Sequence, residues 1–163
     1  MSAEPASTLI SGARNSIDDA MPLRSMQTLQ RVKALYEAWG RGAFGPVFEA
    51  LDEGVIWEMF APPELPFGGV WRGRSEVSRF FSALEGAVED PQLPMSEFVV
   101  SGDRVVAIGR FMGRARRSRL LFDTPCVQIW DLNQGRVARW RCSLDSAQLV
   151  DAVLAPSALI QDI

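Results

Sequence analysis

Acid–base chemistry in this chain has to come from Asp, Glu, Tyr, Cys or Lys, because its 163 residues contain no histidine. This excludes Ser-His and Cys-His nucleophilic catalysis and His-ligated zinc. It also removes the side chain whose ordinary pKa lies nearest to neutrality. Two carboxylates stand where they could carry a proton, Glu58 and Asp145. Their use depends on the strand or helix that holds each of them.

Asp145 stands at the boundary between a strand and a helix in the segment GRVARWRCSLDSAQLVDAV, residues 135–153. Asp145 and Gln148 form an Asp-x-x-Gln capping pattern, which favours a helix cap. The alternative is a proton carrier, since a carboxylate in an apolar pocket has a raised pKa. Strand alternation places Asp145 with Arg139 and Arg141, on the face opposite Trp140 and Cys142. We favour the cap because it needs no further assumption.

Five tryptophans in one small domain indicate either a dense aromatic core or a pocket for a flat, polycyclic ligand. They are Trp39, Trp57, Trp71, Trp130 and Trp140. Packing in the core or at an interface is the favoured interpretation.

The arginines leave further alternatives open. Arg110 lies in an apolar strand pattern, either on an outer face or as a buried anchor for an anion or carbonyl group. The segment GRARRSR supplies Arg114, Arg116, Arg117 and Arg119, which favours a solvated hairpin tip over a docking patch for phosphate or an acidic carrier protein. The net charge of −3 and the lack of interleaved aromatic residues argue against binding to nucleic acid or an anionic membrane.

The hydrophobic periodicity predicts the elements that hold these residues. An amphipathic helix begins at Ser25 and ends at Gly40 and Gly42, a second spans 45–51, and a strand spans Val55–Phe60. Residues 61–77, rich in proline and glycine, are expected to be irregular, a third helix runs from Ser75 to near Gly86, and EDPQLP breaks the chain. Four antiparallel strands then fill 97–144, before a last helix from Asp145. This order predicts an α+β fold with helices on one face of a strongly curved antiparallel sheet.

Composition predicts one cytoplasmic domain. Apolar residues make up 47% of the chain, but no apolar run approaches the ~18 residues that cross a bilayer, and the N-terminal stretch lacks the apolar region of a secretory signal. We expect a flexible arm at 1–24, a domain at 25–154 and a tail at 155–163. Cys126 and Cys142 are interpreted as buried, reduced thiols.

The chain resembles the nuclear transport factor 2-like superfamily, in its SnoaL-like branch, over residues 28–154. The resemblance rests on the element order and on the segments ALYEAWGRGAFGPVFEALDEGVIWE, GGVWRGRSEVSRFF, GDRVV and NQGRVARWRCSLD. It implies a cone with a central apolar pocket, covered by about three helices and often paired into a dimer through the sheet. Members of the superfamily include ketosteroid isomerases, polyketide cyclases and limonene-epoxide hydrolases, and also proteins that only bind or assemble.

Two families of enzymes in the superfamily place their catalytic groups at positions that this chain fills differently. The water-activating aspartate of the hydrolases falls on Cys142, and their Arg and Asp pair falls on Arg110 and Met112. The isomerase base falls on Met59, beside Glu58, and the isomerase tyrosine falls on Leu35, beside Tyr36. The third isomerase position falls on Val127. Each candidate for the isomerase base and tyrosine is thus one residue out of register, so Glu58 would reach the cavity only through a bulge.

A third comparison, with SnoaL-type cyclases, places an acid–base aspartate in the region of Asp145. The resemblance therefore predicts a protein that binds a hydrophobic polyketide, terpenoid or steroid and promotes isomerisation, cyclisation or epoxide opening without a cofactor or a metal. Asp145 or Glu58 would carry the proton, and Arg110 and Tyr36 would orient an oxygen. The candidate substrate-lining residues are Trp39, Trp57, Met59, Phe67, Trp71, Met112, Cys126, Gln128, Trp140 and Cys142. A homodimer is expected, and a non-catalytic ligand-binding or assembly module is the alternative.

Overall fold

The computed structural model describes residues 21–157. The helices are α1 (Leu23–Gly40), α2 (Gly45–Ala50), α3 (Gly73–Ala87) and α4 (Ser146–Leu154). The strands are β1 (Leu51–Phe60), β2 (Gly69–Arg72), β3 (Val88–Gln92), β4 (Met95–Ser101), β5 (Arg104–Ala115), β6 (Leu121–Asn133) and β7 (Arg136–Leu144). The predicted α+β class is confirmed, and the structure adds two short strands, β2 and β3, to the predicted order. Residues 1–20 of the predicted arm and 158–163 of the predicted tail lie outside the described residues.

The strands form one curled sheet in the order β2-β1-β7-β6-β5-β3, with β4 also paired to β5. One edge of β5 pairs with β4 up to Gly109 and then with β3 from Met112. A Cβ at Gly109 would collide with the Pro94 carbonyl oxygen, so this glycine lets the backbone that enters β4 lie close to β5. The predicted antiparallel sheet is confirmed, with one exception, because β1 and β7 run parallel.

Two faces of this sheet differ sharply in composition. The inner face is apolar and carries the buried core, which the helices α1 and α3 help to cover. The outer face of β5, β6 and β7 carries ion pairs between arginines and aspartates, including Arg104 with Asp131 and Arg110 with Asp123. Strand alternation produces the two faces, since successive side chains point to opposite sides.

Two segments expected to be irregular contain short edge strands. In the first, β2 pairs with β1 and places Trp71 opposite Trp57. In the second, β3 includes Pro91, which lies where the pairing with β5 shifts register, beside Asp90 at φ 50°. Proline is tolerated at such edge and bulge positions because no ladder hydrogen bond is lost there. Local composition missed both strands because proline and glycine are typical of irregular segments, whereas the two strands are defined by their pairing with β1 and β5.

The helix α1 is held at its start by the turns at one end of the sheet. Ser25 and Thr28 are both buried. The Ser25 hydroxyl accepts a hydrogen bond from the Gly102 amide (3.0 Å), and the Thr28 hydroxyl donates one to the Gly102 carbonyl (2.7 Å). Arg31 donates to the Gly135 carbonyl in the turn between β6 and β7 (2.9 Å). These contacts fix the rotation of α1 and so direct Tyr36 and Trp39 into the sheet. Within residues 21–157, no helix is long and apolar enough to cross a membrane.

Candidate ligand-binding site

A hydrogen-bond network of four side chains lies inside the curled sheet. The Tyr36 hydroxyl donates to Gln128 Oε1 (2.6 Å) and accepts from Trp130 Nε1 (2.7 Å). Trp140 Nε1 also donates to Gln128 Oε1 (3.3 Å). Gln128 is 1% exposed, and it is an uncharged polar residue in the centre of an apolar interior. Such a group is retained only where its hydrogen bonds are made, as they are here.

Burial keeps Tyr36 neutral. Removal from water raises the pKa of the Tyr36 phenol above its ordinary value of 10.0, and this outweighs the lowering by the hydrogen bond from Trp130. A neutral phenol donates and accepts hydrogen bonds but takes no proton as a base. Tyr36 can therefore polarise a ligand oxygen, which is one of the roles predicted for it.

Two buried thiols adjoin this network. Gln128 Nε2 donates to Cys142 Sγ (3.8 Å), and Cys126 lies on the strand paired with that of Cys142. The neighbouring Cys126 thiol, together with burial, raises the pKa of Cys142 well above its ordinary value. The neighbouring Cys142 thiol and the charge of Arg110 lower the pKa of Cys126, although burial acts in the opposite direction. Both cysteines are free, so the prediction of buried, reduced thiols is confirmed.

Tryptophan rings fill most of the interior. Trp57 and Trp140 stack with ring centroids 4.1 Å apart, and Trp39 lies 6.2 Å from each of them. The cavity left among the rings has a volume of about 10 Å³, close to the space of one water molecule. Its lining includes Trp39, Met59, Phe111, Gln128, Trp140 and Cys142. Trp39, Trp57, Trp130 and Trp140 are thus packed in the core, as the favoured interpretation of the tryptophans predicts.

A cleft of about 320 Å³ opens at the mouth of the interior. It lies between the second half of α1 and the chain around β3, and it is lined by Tyr36, Trp39, Gly40, Pro91, Gln92, Leu93, Pro94 and Met112. A second cleft of about 410 Å³ shares Trp39, Gly40, Pro91 and Gln92 with it and extends to Arg41 and Arg116. Trp39 lines both clefts and the inner cavity, so this residue lies where the three spaces meet.

The structure places Asp145 at a helix cap. Asp145 is exposed and precedes α4, and its Oδ1 accepts from the Ala147 amide (3.3 Å). Gln148 makes no reciprocal bond, because its Oε1 accepts from the Asp123 amide instead (3.0 Å). The predicted cap is therefore present, whereas the full two-way capping pattern is not.

Glu58 and Arg110 lie on the outer face. Residues 55–59 of β1 alternate regularly, which buries Trp57 and Met59 and directs Glu58 outward to Arg139 (3.4 Å). The bulge that would turn Glu58 inward is absent from this stretch of the described chain. Arg110 pairs with Asp123, so of its two open interpretations the outer-face position is the one observed.

The other predicted lining residues divide between core and cleft. Met59, Gln128, Trp140 and Cys142 line the inner cavity, and Met112 lines the cleft at its mouth. Phe67, Trp57 and Cys126 are buried in the core. Trp71 lies to one side of the site, where it packs on Phe80 and donates to the Phe67 carbonyl (3.3 Å).

Most arginines of the basic hairpin, residues 114–119, make hydrogen bonds or ion pairs within the chain. Arg114 donates to the Arg119 carbonyl, Arg116 donates to the Glu85 carbonyl, and Arg119 pairs with Glu89. These contacts are those of a folded hairpin tip. Docking of an acidic carrier protein there stays a prediction.

Sequence reasoning missed the part of the cleft formed by 91–94, because EDPQLP was interpreted only as a break. It also gave Trp130 no role beyond its place among the five tryptophans, although Trp130 donates to Tyr36. A proline on each side of two residues indicates an extended segment, and this pattern could have identified the cleft wall. Within residues 21–157, no three Asp, Glu, Cys or His side chains converge as metal ligands would.

Comparison with known proteins gives a consistent family assignment. The model of the SnoaL-like domain family matches residues 32–140. A nuclear transport factor 2-like protein of unknown function from Burkholderia pseudomallei is 26% identical, with a TM-score of 0.73 over 79% of this chain and 98% of its own. No curated protein sequence matches the chain.

Two further solved structures share the fold at lower identity. A candidate SnoaL-like polyketide cyclase from Jannaschia sp. CCS1 is 20% identical, with a TM-score of 0.72 over 84% of this chain and 98% of its own. TerC, co-crystallised with polyporic acid, is 18% identical, with a TM-score of 0.70 over 79% of this chain and 99% of its own. At these identities the likeness shows the nuclear transport factor 2-like cone alone.

Proposed function

Because the chain belongs to the family of SnoaL-like domains, we propose that it binds a hydrophobic small molecule of polyketide, terpenoid or steroid type. We further propose that it promotes isomerisation, cyclisation or epoxide opening of that molecule without a cofactor. Relatives of the same fold support this choice, since one is a candidate polyketide cyclase and another was crystallised with polyporic acid.

The single observation that carries the proposal is the hydrogen-bond network of the half-buried Tyr36 and the buried Gln128 at the inner end of an apolar cleft. The cleft has the volume of a small-ligand site, and Tyr36 lines it. A ligand carbonyl that replaced Gln128 as the acceptor of the Tyr36 hydroxyl would meet a desolvated donor, itself polarised by Trp130. Hydrogen bonds fixed in advance in such a setting stabilise charge that develops on oxygen.

The mechanism that we infer relies on orientation rather than on an interior carboxylate. Among residues 21–157 the buried polar or charged side chains are Ser25, Thr28, Ser118, Thr124 and Gln128, none of them acidic. The clefts would hold the substrate in a reactive conformation, in which an enol carbon of the substrate attacks its own carbonyl carbon. The carbonyl π electrons then move to the oxygen that accepts from Tyr36, and the enol proton is transferred to that oxygen as the new carbon–carbon bond closes the ring. Orientation of reacting groups can supply a large share of a rate enhancement.

The test is a comparison of turnover in matched variants. The substrates are a Δ5-3-ketosteroid, limonene-1,2-epoxide, and any compound that native mass spectrometry finds bound to the purified protein. We expect Tyr36→Phe to lower kcat by about 100-fold, within the range of a lost oxyanion donor. We expect Asp145→Asn and Glu58→Gln to keep wild-type turnover. Loss of turnover in either carboxylate variant, with Tyr36→Phe active, would instead support proton transfer by that carboxylate.

The alternative is a non-catalytic ligand-binding or assembly module, favoured by the lack of a buried carboxylate in the described part of the chain. A compound that co-purifies in stoichiometric amount and leaves the protein chemically unchanged would support it. Appearance of a product in the same incubation would support the enzyme.

We also propose that the chain forms a homodimer through the outer face of its sheet. Ile108 and Val127 are paired across β5 and β6, and each is more than one third exposed in the middle of this face. Arg110 and Asp123 flank them on the same face. A face that carries both charges can meet a second copy of itself about a two-fold axis with opposite charges opposed.

A further inference from the structure

Three sulfur-bearing side chains lie next to one another on the inner face of the sheet, on the adjacent strands β1, β7 and β6. Cys142 of β7 is the register partner of Met59 in β1. Cys126 lies on β6, two positions from the direct partner of Cys142. Side chains on one face of neighbouring strands reach each other at both of these spacings. Two thiols and one thioether are therefore neighbours, and the proposed reaction uses none of them.

All three side chains are shielded from water. Cys126, Cys142 and Met59 are at most 4% exposed, and both cysteines are free. The two thiols are neighbours. Gln128 Nε2 donates to Cys142 Sγ (3.8 Å). An N–H group that faces a sulfur atom stabilises the thiolate, which is the form that binds a metal ion.

The inner cavity lies beside these sulfur atoms. Its volume of about 10 Å³ is the space of one water molecule or one small ion, and both Met59 and Cys142 line it. None of its lining side chains carries a carboxylate, a hydroxyl or an imidazole group. Trp39 lines this cavity and also the two clefts at the mouth. The clefts thus provide the route by which a small ion would reach the sulfur atoms.

This set of ligands selects a soft cation. Zn²⁺ in structural sites is almost always four-coordinate, and within residues 21–157 no third Asp, Glu, Cys or His side chain joins the two cysteines. Mg²⁺ and Ca²⁺ require oxygen ligands, whereas the one amide oxygen in the cavity lining already accepts from Tyr36 and Trp140. Thiolate and thioether sulfur favours Cu(I), a closed-shell ion that is stable with two or three ligands.

We propose that Cys126, Cys142 and Met59 form a binding site for Cu(I). Each thiol that binds the ion releases its proton to solvent, whereas the thioether binds without loss of a proton. Copper keeps its oxidation state, and two thiolates with one Cu(I) carry one negative charge. The N–H group that Gln128 directs at Cys142 faces that charge. The inference does not rest on the proposed function, because no step of that mechanism involves a sulfur atom.

The test is a competition for Cu(I) between the reduced full chain and the coloured chelator bicinchoninate, in the absence of oxygen. We expect the wild type to remove one equivalent of Cu(I) from the chelator. Cys126→Ala and Cys142→Ala should each weaken binding by about 100-fold or more, because each removes one of two thiolates. Met59→Leu preserves the side-chain volume and should weaken binding by about tenfold. Met26→Leu, at an exposed methionine of α1, is the control and should bind as the wild type does.

Two measurements on the wild type decide the matter if a cysteine variant fails to fold. X-ray absorption at the copper edge should show sulfur ligands only. One equivalent of Cu(I) should raise Tm, because an ion that binds only the folded state stabilises it. Retention of all Cu(I) by the chelator, nitrogen or oxygen ligands around bound copper, or wild-type affinity in both cysteine variants overturns this inference. Each of these results leaves the proposed function intact.

Discussion

At the residue scale, the interior of this domain is built around Tyr36, the only tyrosine in the chain. Its hydroxyl joins Gln128 and Trp130, and burial raises its pKa above the ordinary value. In contrast, Asp145 and Glu58 have contacts typical of structural groups, a helix cap and a surface ion pair. Chemistry in the interior would therefore depend on neutral hydrogen-bond donors.

Tyr36 makes stability sensitive to alkaline pH. The folded state holds the phenolic proton more tightly than the unfolded state, so this contribution is complete below about pH 10 and is lost as the pH rises above it. We expect the free energy of unfolding to fall by about 1.4 kcal/mol per pH unit there from this group alone. Tyr36→Phe should lack that part of the slope in urea titrations at several pH values.

A spectroscopic titration gives the control. Tyrosinate absorbance reports only Tyr36, because no second tyrosine exists. The absorbance should appear together with unfolding rather than before it. A native protein that ionises Tyr36 near pH 10 would contradict the prediction.

Asp145 should matter for stability and little for turnover. Asp145→Ala removes the acceptor for the Ala147 amide and should cost about 1 kcal/mol in the free energy of unfolding. Asp145→Asn can still cap and should stay within a few tenths of wild type. Urea denaturation of the three proteins measures both values, and an equal loss in both variants would argue against the cap.

At the element scale, α1 carries Tyr36 and Trp39, and its start is fixed by two turns of the sheet. The turn between β6 and β7 includes Gly135 at φ 78°, with the Arg31 guanidinium packed against the position that a Cβ would occupy. A side chain at Gly135 would strain the backbone, and the Arg31 guanidinium would have to move away from it. The position of the ligand-facing part of α1 thus depends on a turn at the far end of the sheet.

Gly135→Ala should therefore destabilise the protein by about 1–3 kcal/mol. Gly86→Ala is the control, because Gly86 lies in α3 with nothing within 4 Å of the added methyl group. That change should be neutral or stabilising, since alanine favours helix. Thermal unfolding measures the stability of both variants. A Gly135→Ala protein as stable as wild type would contradict the role of the Gly135 turn in holding Arg31 and the start of α1.

At the scale of the whole molecule, the two faces of the sheet differ. The inner face packs on the apolar core, and the outer face carries charged residues around a small apolar centre. Single exposed apolar residues are common, but Ile108 and Val127 are direct cross-strand neighbours. Their neighbours on this face form ion pairs that a second copy could rearrange. This is the physical basis for the proposed homodimer.

Sedimentation equilibrium tests the homodimer. We expect the wild type to sediment as a dimer and Ile108→Lys and Val127→Lys to shift towards monomer, because each buries a charge at the centre of the interface. Leu154→Lys, at the end of α4, is the control for an exposed apolar residue elsewhere and should remain dimeric. A monomeric wild type, or dimers in all three variants, would refute this interface.

The sequence by itself determined the α+β class, the four helices and the four long strands, and it favoured the cap at Asp145, because periodicity and capping chemistry are local. It also determined that Trp140 and Cys142 share one face of β7 and that Arg139 and Arg141 share the other, since a strand alternates with period two. Only the tertiary structure decided that β2 and β3 are strands, that β1 runs parallel to β7, and that Glu58 and Arg110 point outward. Those outcomes depend on pairing partners and register, which are set by residues far apart in the chain. The meeting of Tyr36 with Gln128, 92 positions away, depends on them as well.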